Sequence, residues 1–294
     1  FTVTNQLKVQ GEAGRSRIAD VVVYVNGIPL VVIEAKSPLA MKDKTGEAFE
    51  QIRQYEREIP RLFYSNVFNV VTNGVRTLYG ATGAASDHWS EWKHPWPRTA
   101  GDFGSRLEQD LWALLEPGRL LDLVAHFIVF ERRDDGVTKK ICRYQQFRAV
   151  NKIVRRVVEE ENRRGLIWHT QGSGKSLTMA FAALKLKSHR TLASPALESP
   201  NLLVLTDRID LDDQISETFE ACGLPNPVQV DSATSLHEKL RGQATGLTLL
   251  STIFKFQGST RPVPESGNWI LLVDECHRTQ EQDLGAYLRA SFPD

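Results

Sequence analysis

The chain has 294 residues, of which 41% are hydrophobic and 24% charged, with 36 Lys plus Arg balanced by 36 Asp plus Glu. At roughly 150 residues per domain this leaves room for about two globular domains that bury real cores. A net charge of zero excludes nucleic-acid binding through a whole-molecule field, so any such surface must be local. No apolar run reaches the roughly 18 residues of a membrane span. Cys142, Cys222 and Cys276 are far apart with no C-x-x-C pair, which excludes a zinc site or disulfide framework and leaves reduced thiols of a cytoplasmic protein as the expectation. Phe1-Thr-Val-Thr shows neither an initiator Met nor a signal pattern, so the chain is expected to be read from inside a longer one.

Ala19–Val25 and Ile28–Lys36 are β-branched runs joined by Asn26-Gly27, the strongest short-range hairpin signal. Residues 45–58 are expected as a helix, Asn66–Thr72 as a third strand and Val75–Tyr79 as a fourth. Ser86–Pro97, rich in Trp and Pro, reads as an irregular insertion. Its Trp89, Trp92 and Trp96 could stack on bases, but packing within the loop is the expected role. Helices are expected over Ser105–Leu115 and Leu120–Phe130. The charged, unpatterned Glu131–Lys140 then places the domain boundary, giving 1–135 and 136–294. Beyond it come helix Gln145–Asn162, strand Gly165–Trp168, helix Lys175–Lys187, strand Asn201–Thr206 and helix Leu211–Ala221. Strands follow near Val228–Val230, at Leu247–Thr252 and at Trp269–Val273. Strands alternating with helices at this spacing predict a parallel sheet covered on both faces.

His169-Thr-Gln171-Gly172-Ser173-Gly174-Lys175-Ser176 follows a short apolar run and opens a helix, the context that a phosphate loop requires. Backbone N–H groups of such a Gly-rich turn converge on a β-phosphate, and the helix N-terminus adds its positive end. Lys175 would reach the β- and γ-phosphates and the Ser176 hydroxyl would ligate Mg²⁺. The full pattern wants Gly at position 169, where this chain has His. The apolar run Trp269–Val273 ends in Asp274-Glu275, two carboxylates at the C-terminal edge of a strand, where ligands bind in open α/β sheets. Asp274 would hold Mg²⁺ and Glu275 would polarise the attacking water. The pair of motifs makes ATP and Mg²⁺ the expected cofactors.

GSGKS combined with Asp274-Glu275-Cys276-His277 resembles the superfamily 2 helicases, whose acidic box reads DEAD, DEAH or DECH. Leu205-Thr-Asp207-Arg208, continuing to Gln214, is similar to the motif with which that family touches the DNA backbone. Ser251-Thr252-Ile-Phe-Lys255 resembles its next DNA-contacting motif. The resemblance therefore implies DNA contacts at Arg208, Gln214, Thr252 and Lys255. Pairing of Arg208 with Asp210 or Asp212 is the plain alternative. Arg143-Tyr144-Gln145-Gln146 is similar to the family's Q motif, implying that Gln146 reads the adenine edge while Tyr144 packs on the base. A core position is the alternative for Tyr144.

The N-terminal hairpin carries Asp20, Glu34 and Lys36 in the pattern D-x₁₃-E-x-K. A PD-(D/E)xK nuclease needs two acids to bind Mg²⁺ and a Lys to orient or activate the attacking water. Glu34 and Lys36, two apart on a strand, share a face. Asp20 is the test. A two-residue turn with an unbroken ladder sets it opposite Ile33, facing the wrong way. A three-residue loop, Val25 to Gly27 with Gly27 as a bulge, sets it opposite Val32 and on the Glu34 face. The nuclease reading therefore predicts a bulge. Exposed acids and lysines at strand ends are common, and that is the competing reading. Gln51 and Tyr55, at i and i+4 on the following helix, resemble the Q-x-x-x-Y extension of nucleases in type I restriction motor subunits and some recombination nucleases.

A PD-(D/E)xK module followed by GSGKS and DECH is similar to the R subunit of type I restriction–modification enzymes; the phrases NGIPLVVIEAK and IWHTQGSGKSLTM carry the likeness. It implies an α/β architecture: a nuclease-like mixed sheet with flanking helices, then a RecA-like parallel-sheet P-loop domain. It further implies a subunit that pumps double-stranded DNA with ATP, cuts it with Mg²⁺, and joins methyltransferase (M) and specificity (S) subunits. Base reading would fall to S, and phosphate contacts would dominate here. The row Arg53, Arg57, Arg61 fits such a contact, although a solvated helix face explains it slightly better. The chain ends at Asp294 without the second RecA-like lobe of such motors, so weak nucleotide binding and poor hydrolysis are expected of this stretch alone. Two competing readings are a helicase or remodeller whose N-terminal domain only binds DNA or a partner, and a stand-alone nuclease with a regulatory nucleotide domain.

Overall fold

A computed structural model describes residues 1–11, 14–38, 44–133, 136–159, 161–170, 172–188, 197–206, 209–224, 227–242, 244–256, 262–263, 268–274 and 284–292. Of residues 133, 209–214, 284 and 285 it describes the backbone only. Contacts divide the chain into two units, Phe1–Arg148 and Ala149–Asp294.

The first unit is built on a five-stranded mixed sheet of β1 (Thr2–Gln10), β2 (Ser16–Val25), β3 (Ile28–Ala35), β4 (Phe68–Thr72) and β5 (Thr77–Ala81), in that spatial order. β3 and β4 are parallel and the remaining pairs antiparallel. A parallel pair needs a crossover, and α1 (Thr45–Glu58) supplies it. Its buried Thr45, Ala48, Ile52 and Tyr55 recur at helical spacing, so that one stripe lies on the sheet. There Ile52 and Tyr55 form a core with Val22, Val32, Val71 and Ala81. Strand β1 was not anticipated from the sequence. Leu7 and Val9 pack on the core, but the polar Asn5-Gln6 interrupts the alternation that would have marked a strand.

Helix α2 (Arg106–Leu115) starts where Ser105 accepts the Glu108 N–H, and α3 (Pro117–His126) where Glu116 accepts that of Arg119. The expected helix through Phe130 stops at His126, because the β-branched Ile128 and Val129 begin β6 (Ile128–Arg133) instead. β6 pairs with β7 (Gly136–Ile141), so the charged stretch 131–140 is largely a hairpin. The division between the units falls after Arg148, not at residue 135. Trp89 and Trp92 are buried, and Trp92 lies 5.4 Å from both Tyr79 and Phe147, as loop packing requires.

Helix α4 (Tyr144–Glu159) leads into the second unit. Here β8 (Asn201–Thr206), β9 (Pro227–Gln229), β10 (Thr248–Thr252) and β11 (Trp269–Val273) form a parallel sheet in the order β11-β8-β10-β9. Helices α5 (Lys175–Leu186), α6 (Ile209–Ala221), α7 (Ala233–Arg241) and α8 (Leu284–Ser291) alternate with them. All six residues of β8 are buried, the pattern of a strand covered on both faces. Gly165–Trp168, expected as the strand before the phosphate loop, is not one. A strand exists only when a neighbour takes its backbone polar groups, and among the described residues none does; Leu166 and Trp168 are 69% and 87% exposed. Among the described residues no helix is long and apolar enough to cross a membrane.

Candidate functional site

The hairpin decides whether Asp20 can join Glu34. Asn26 and Gly27 have φ values of 51° and 79°, both positive, as a two-residue type I′ turn demands. The expected three-residue loop is therefore absent, but the bulge exists elsewhere. Tyr24 pairs with Pro29 whereas Val23 pairs with Val31, so Leu30 is an extra residue on β3. Its carbonyl accepts the Val67 N–H. The ladder then runs through Val22↔Val32 and Val21↔Ile33, which brings Asp20 opposite Glu34, on the same face. The parity change came from a different residue than the turn chemistry suggested.

Around this pair the side chains form one connected set. Asp20 Oδ2 accepts the Ala35 N–H at 2.9 Å and Oδ1 accepts the Gln6 amide at 3.0 Å. Lys36 Nζ donates to Glu34 Oε1 at 2.9 Å and to Gln51 Oε1 at 2.5 Å. Gln51 Nε2 donates to Tyr55 Oη, and Tyr55 donates in turn to the Ile18 carbonyl at 2.7 Å. Five expected site residues (Asp20, Glu34, Lys36, Gln51 and Tyr55) are thus brought together. Gln6, which sequence reasoning passed over, is a sixth contact; the lapse in alternation at Asn5-Gln6 was its only signal.

Glu34 is 1% exposed, and its Oε2 is buried with no hydrogen-bond partner. Burial raises its pKa above the usual carboxylate range, Lys36 opposes that rise, and the charge of Asp20 adds to it. Burial also pushes the Tyr55 hydroxyl to about 12, which keeps it a neutral donor. A buried carboxylate oxygen without a partner, facing a second carboxylate, is the donor set a hard divalent cation requires. The residues fit that ion.

In the second unit Gly172 and Gly174 hold positive φ values of 74° and 81°, and Gly174 caps α5, whose first residues are Lys175 and Ser176. No atom lies within 4 Å of where a Cβ on Gly172 would stand, leaving open space over the turn. The Ser173 hydroxyl is buried without a partner. Burial, and then the charge of Lys175, lower the pKa of His169 and favour its neutral form beside the loop. This Gly-wrapped helix start fits a phosphate. Asp274 is 9% exposed and continues the β11–β8 ladder through its N–H to Leu205 O at 2.8 Å.

Tyr144 and Gln146 lie in the first unit, where the buried Gln146 accepts the Arg143 N–H. Thr252 is buried at the end of β10, and Lys255 donates to the Val230 carbonyl. Gln171, Arg208 and Glu275 fall outside the described residues, as does the side chain of Gln214.

The profile of the SWI2/SNF2 ATPase family matches residues 145–294, slightly more than half of the chain. The chain belongs to this family. Its SWI2/SNF2 ATPase region carries the Gly-rich loop, Asp274 and the parallel sheet. Residues 1–88, with all six side chains of the first cluster, match the N-terminal region of type I restriction enzyme R proteins. Relatives run through both regions. The type I restriction enzyme HindI endonuclease subunit of Haemophilus influenzae is 36% identical over 297 residues, covering 95% of this chain and 28% of its own length. The corresponding SsaAORF53P subunit of Staphylococcus saprophyticus is 27% identical, covering 99% of this chain and 30% of its own. A Staphylococcus aureus subunit, SauMSSORF170P, is 26% identical with the same coverage. This SWI2/SNF2 ATPase chain thus spans less than a third of the length of these relatives. The likeness to type I R subunits drawn from its motifs agrees with both comparisons.

Proposed function

We propose that the chain is the nuclease module and first motor lobe of a type I restriction R subunit, cutting double-stranded DNA at the Asp20–Glu34–Lys36 cluster and binding ATP at Gln171–Ser176. The observation that carries this is the parity change at Leu30, which turns Asp20 toward a Glu34 whose second oxygen is buried without a partner. A strand-end acid and lysine with no task would not need either feature.

When bound, Mg²⁺ would polarise the scissile phosphate and favour ionisation of the attacking water. Asp20 and Glu34 would hold it through Asp20's remaining lone pairs and Glu34 Oε2. An ammonium has three donors; Lys36 gives two to Glu34 and Gln51, and the third would serve the water or the phosphate oxygen. Gln51 would act as a positioning residue through Lys36, and Tyr55 through Gln51 and from its place beside Glu34. In the motor, the backbone N–H groups of 171–176 and Lys175 would bind the phosphates. Ser176 and Asp274 would hold the Mg²⁺ of the nucleotide, and Glu275 would orient the water. Tyr144 and Gln146 would recognise adenine, while Arg208, Gln214, Thr252 and Lys255 are assigned to the DNA track by motif alone. M and S subunits are the proposed partners.

The competing reading, a remodeller-type motor with a non-catalytic N-terminal module, is separated by one experiment. In a full-length subunit assembled with methyltransferase and specificity subunits, Asp20→Ala and Lys36→Ala should abolish cleavage and leave DNA-stimulated ATP hydrolysis intact. Undiminished cleavage by both variants would rule the nuclease assignment out.

A further inference from the structure

Gln6 lies mid-strand in β1 with φ 49°, a left-handed backbone that residues other than Gly rarely adopt. Its neighbours Asn5 and Leu7 pair with Val21 and Ala19, which leaves Gln6 facing Asp20. Ala19 and Val22 both belong to the core that contains α1 residues, although strict alternation puts residues three apart on opposite faces. β2 therefore changes face between them, at Asp20. The β1–β2 register is the same on both sides of Gln6, so the two strands turn together instead of slipping, and the Gln6 backbone absorbs the turn. The exposed Gln6 side chain then donates to Asp20 Oδ1 at 3.0 Å, while the Ala35 N–H occupies Oδ2 at 2.9 Å. One donor on each oxygen fixes the rotation of the carboxylate about its own axis.

We propose that Gln6 is a positioning residue of the cation site: on the face that the Leu30 bulge sets for Asp20, its left-handed backbone presents its amide to Asp20, and that amide locks the carboxylate in the orientation that receives a divalent ion. This rests on the reading of Asp20 and Glu34 as the cation-holding pair.

The test is Mn²⁺ binding to the nucleotide-free 294-residue chain, read from the paramagnetic resonance signal of free Mn²⁺, in parallel with melting temperature. Asp20→Asn should abolish the binding that belongs to this site. Gln6→Gly removes the amide but adopts positive φ without strain, so its melting temperature should be unchanged or higher. Its Mn²⁺ affinity should fall about tenfold, the worth of one hydrogen bond to a charged group. Gln6→Val, which resists a left-handed backbone, should lose both affinity and stability. If Asp20→Asn loses the ion while Gln6→Gly binds it as the parent chain does, the role of Gln6 is overturned and the cation site stands. If Asp20→Asn binds Mn²⁺ undiminished, both are overturned.

Discussion

Lys36 Nζ sits 2.9 Å from Glu34 Oε1, while the other oxygen of the same carboxylate is buried without a partner. One half of Glu34 is neutralised by its own strand, two residues on, and the other half is held out of water. An arrangement made only for stability would satisfy both oxygens or expose them, because a buried unsatisfied acceptor is destabilising. On the proposed nuclease reading that cost keeps Glu34 ready for a cation, and it makes the site measurable in the ligand-free protein.

Lys36→Ala should therefore destabilise the ligand-free chain as well as end cleavage. It leaves both Glu34 oxygens buried without a partner, a loss of about 1–2 kcal/mol given that Lys36 is itself partly exposed. Adding Glu34→Gln to the variant should recover most of that loss, since a neutral amide tolerates burial. Urea unfolding of the parent, both single variants and the double variant measures the coupling.

The pH dependence of stability should carry the mark of Glu34. Burial raises its pKa in the folded chain above the 4.5 of an unperturbed carboxyl. The folded state then binds the Glu34 proton more tightly than the unfolded state does. The associated stability is fully present below 4.5 and is lost as pH rises from there through the raised folded value. Melting temperature against pH should fall across that window in the parent relative to Glu34→Gln. Saturating Mg²⁺ should shrink the difference; parallel curves would contradict the raised pKa.

Tyr55→Phe deletes one polar link between α1 and β2, another being the Arg17–Glu58 ion pair. It removes the donor to the Ile18 carbonyl and the acceptor of Gln51, so a loss of about 1 kcal/mol of stability is expected. Because Gln51 would then hold Lys36 less firmly, cleavage by the assembled complex should slow roughly tenfold, equivalent to ~1.4 kcal/mol of barrier. Mn²⁺ affinity should stay near that of the parent. A large drop in affinity would place Tyr55 in the ion site instead.

For the motor half, Lys175→Ala should weaken binding of a fluorescent ATP analogue at least tenfold, the effect of losing a charge-assisted contact. Gly174→Ala should do the same by another route. At φ 81° an added Cβ strains the turn by about 1–2 kcal/mol and disturbs the start of α5. Titrations of both variants beside the parent check this. Unaltered affinity in Lys175→Ala would remove the phosphate assignment.

By itself, the sequence determined whatever depends on local chemistry. Asn26-Gly27 specified its type I′ turn, the spacing of Ala48, Ile52 and Tyr55 put one face of α1 on the sheet, and the apolar run of β8 announced a doubly covered parallel strand. The glycines at 172 and 174 announced the positive-φ turn that opens α5, because glycine takes positive φ without strain. Only the tertiary structure decided what depends on neighbours. Leu30 becomes a bulge because β3 must match β2 on one side and β4 on the other, and that choice, invisible in the turn, sets the face of Asp20. The same holds for Gln6 and for Gly165–Trp168. Strand pairing is a property of two segments, so a residue whose role is to adjust one strand to another, or an apolar run with no partner among the described residues, leaves no local mark.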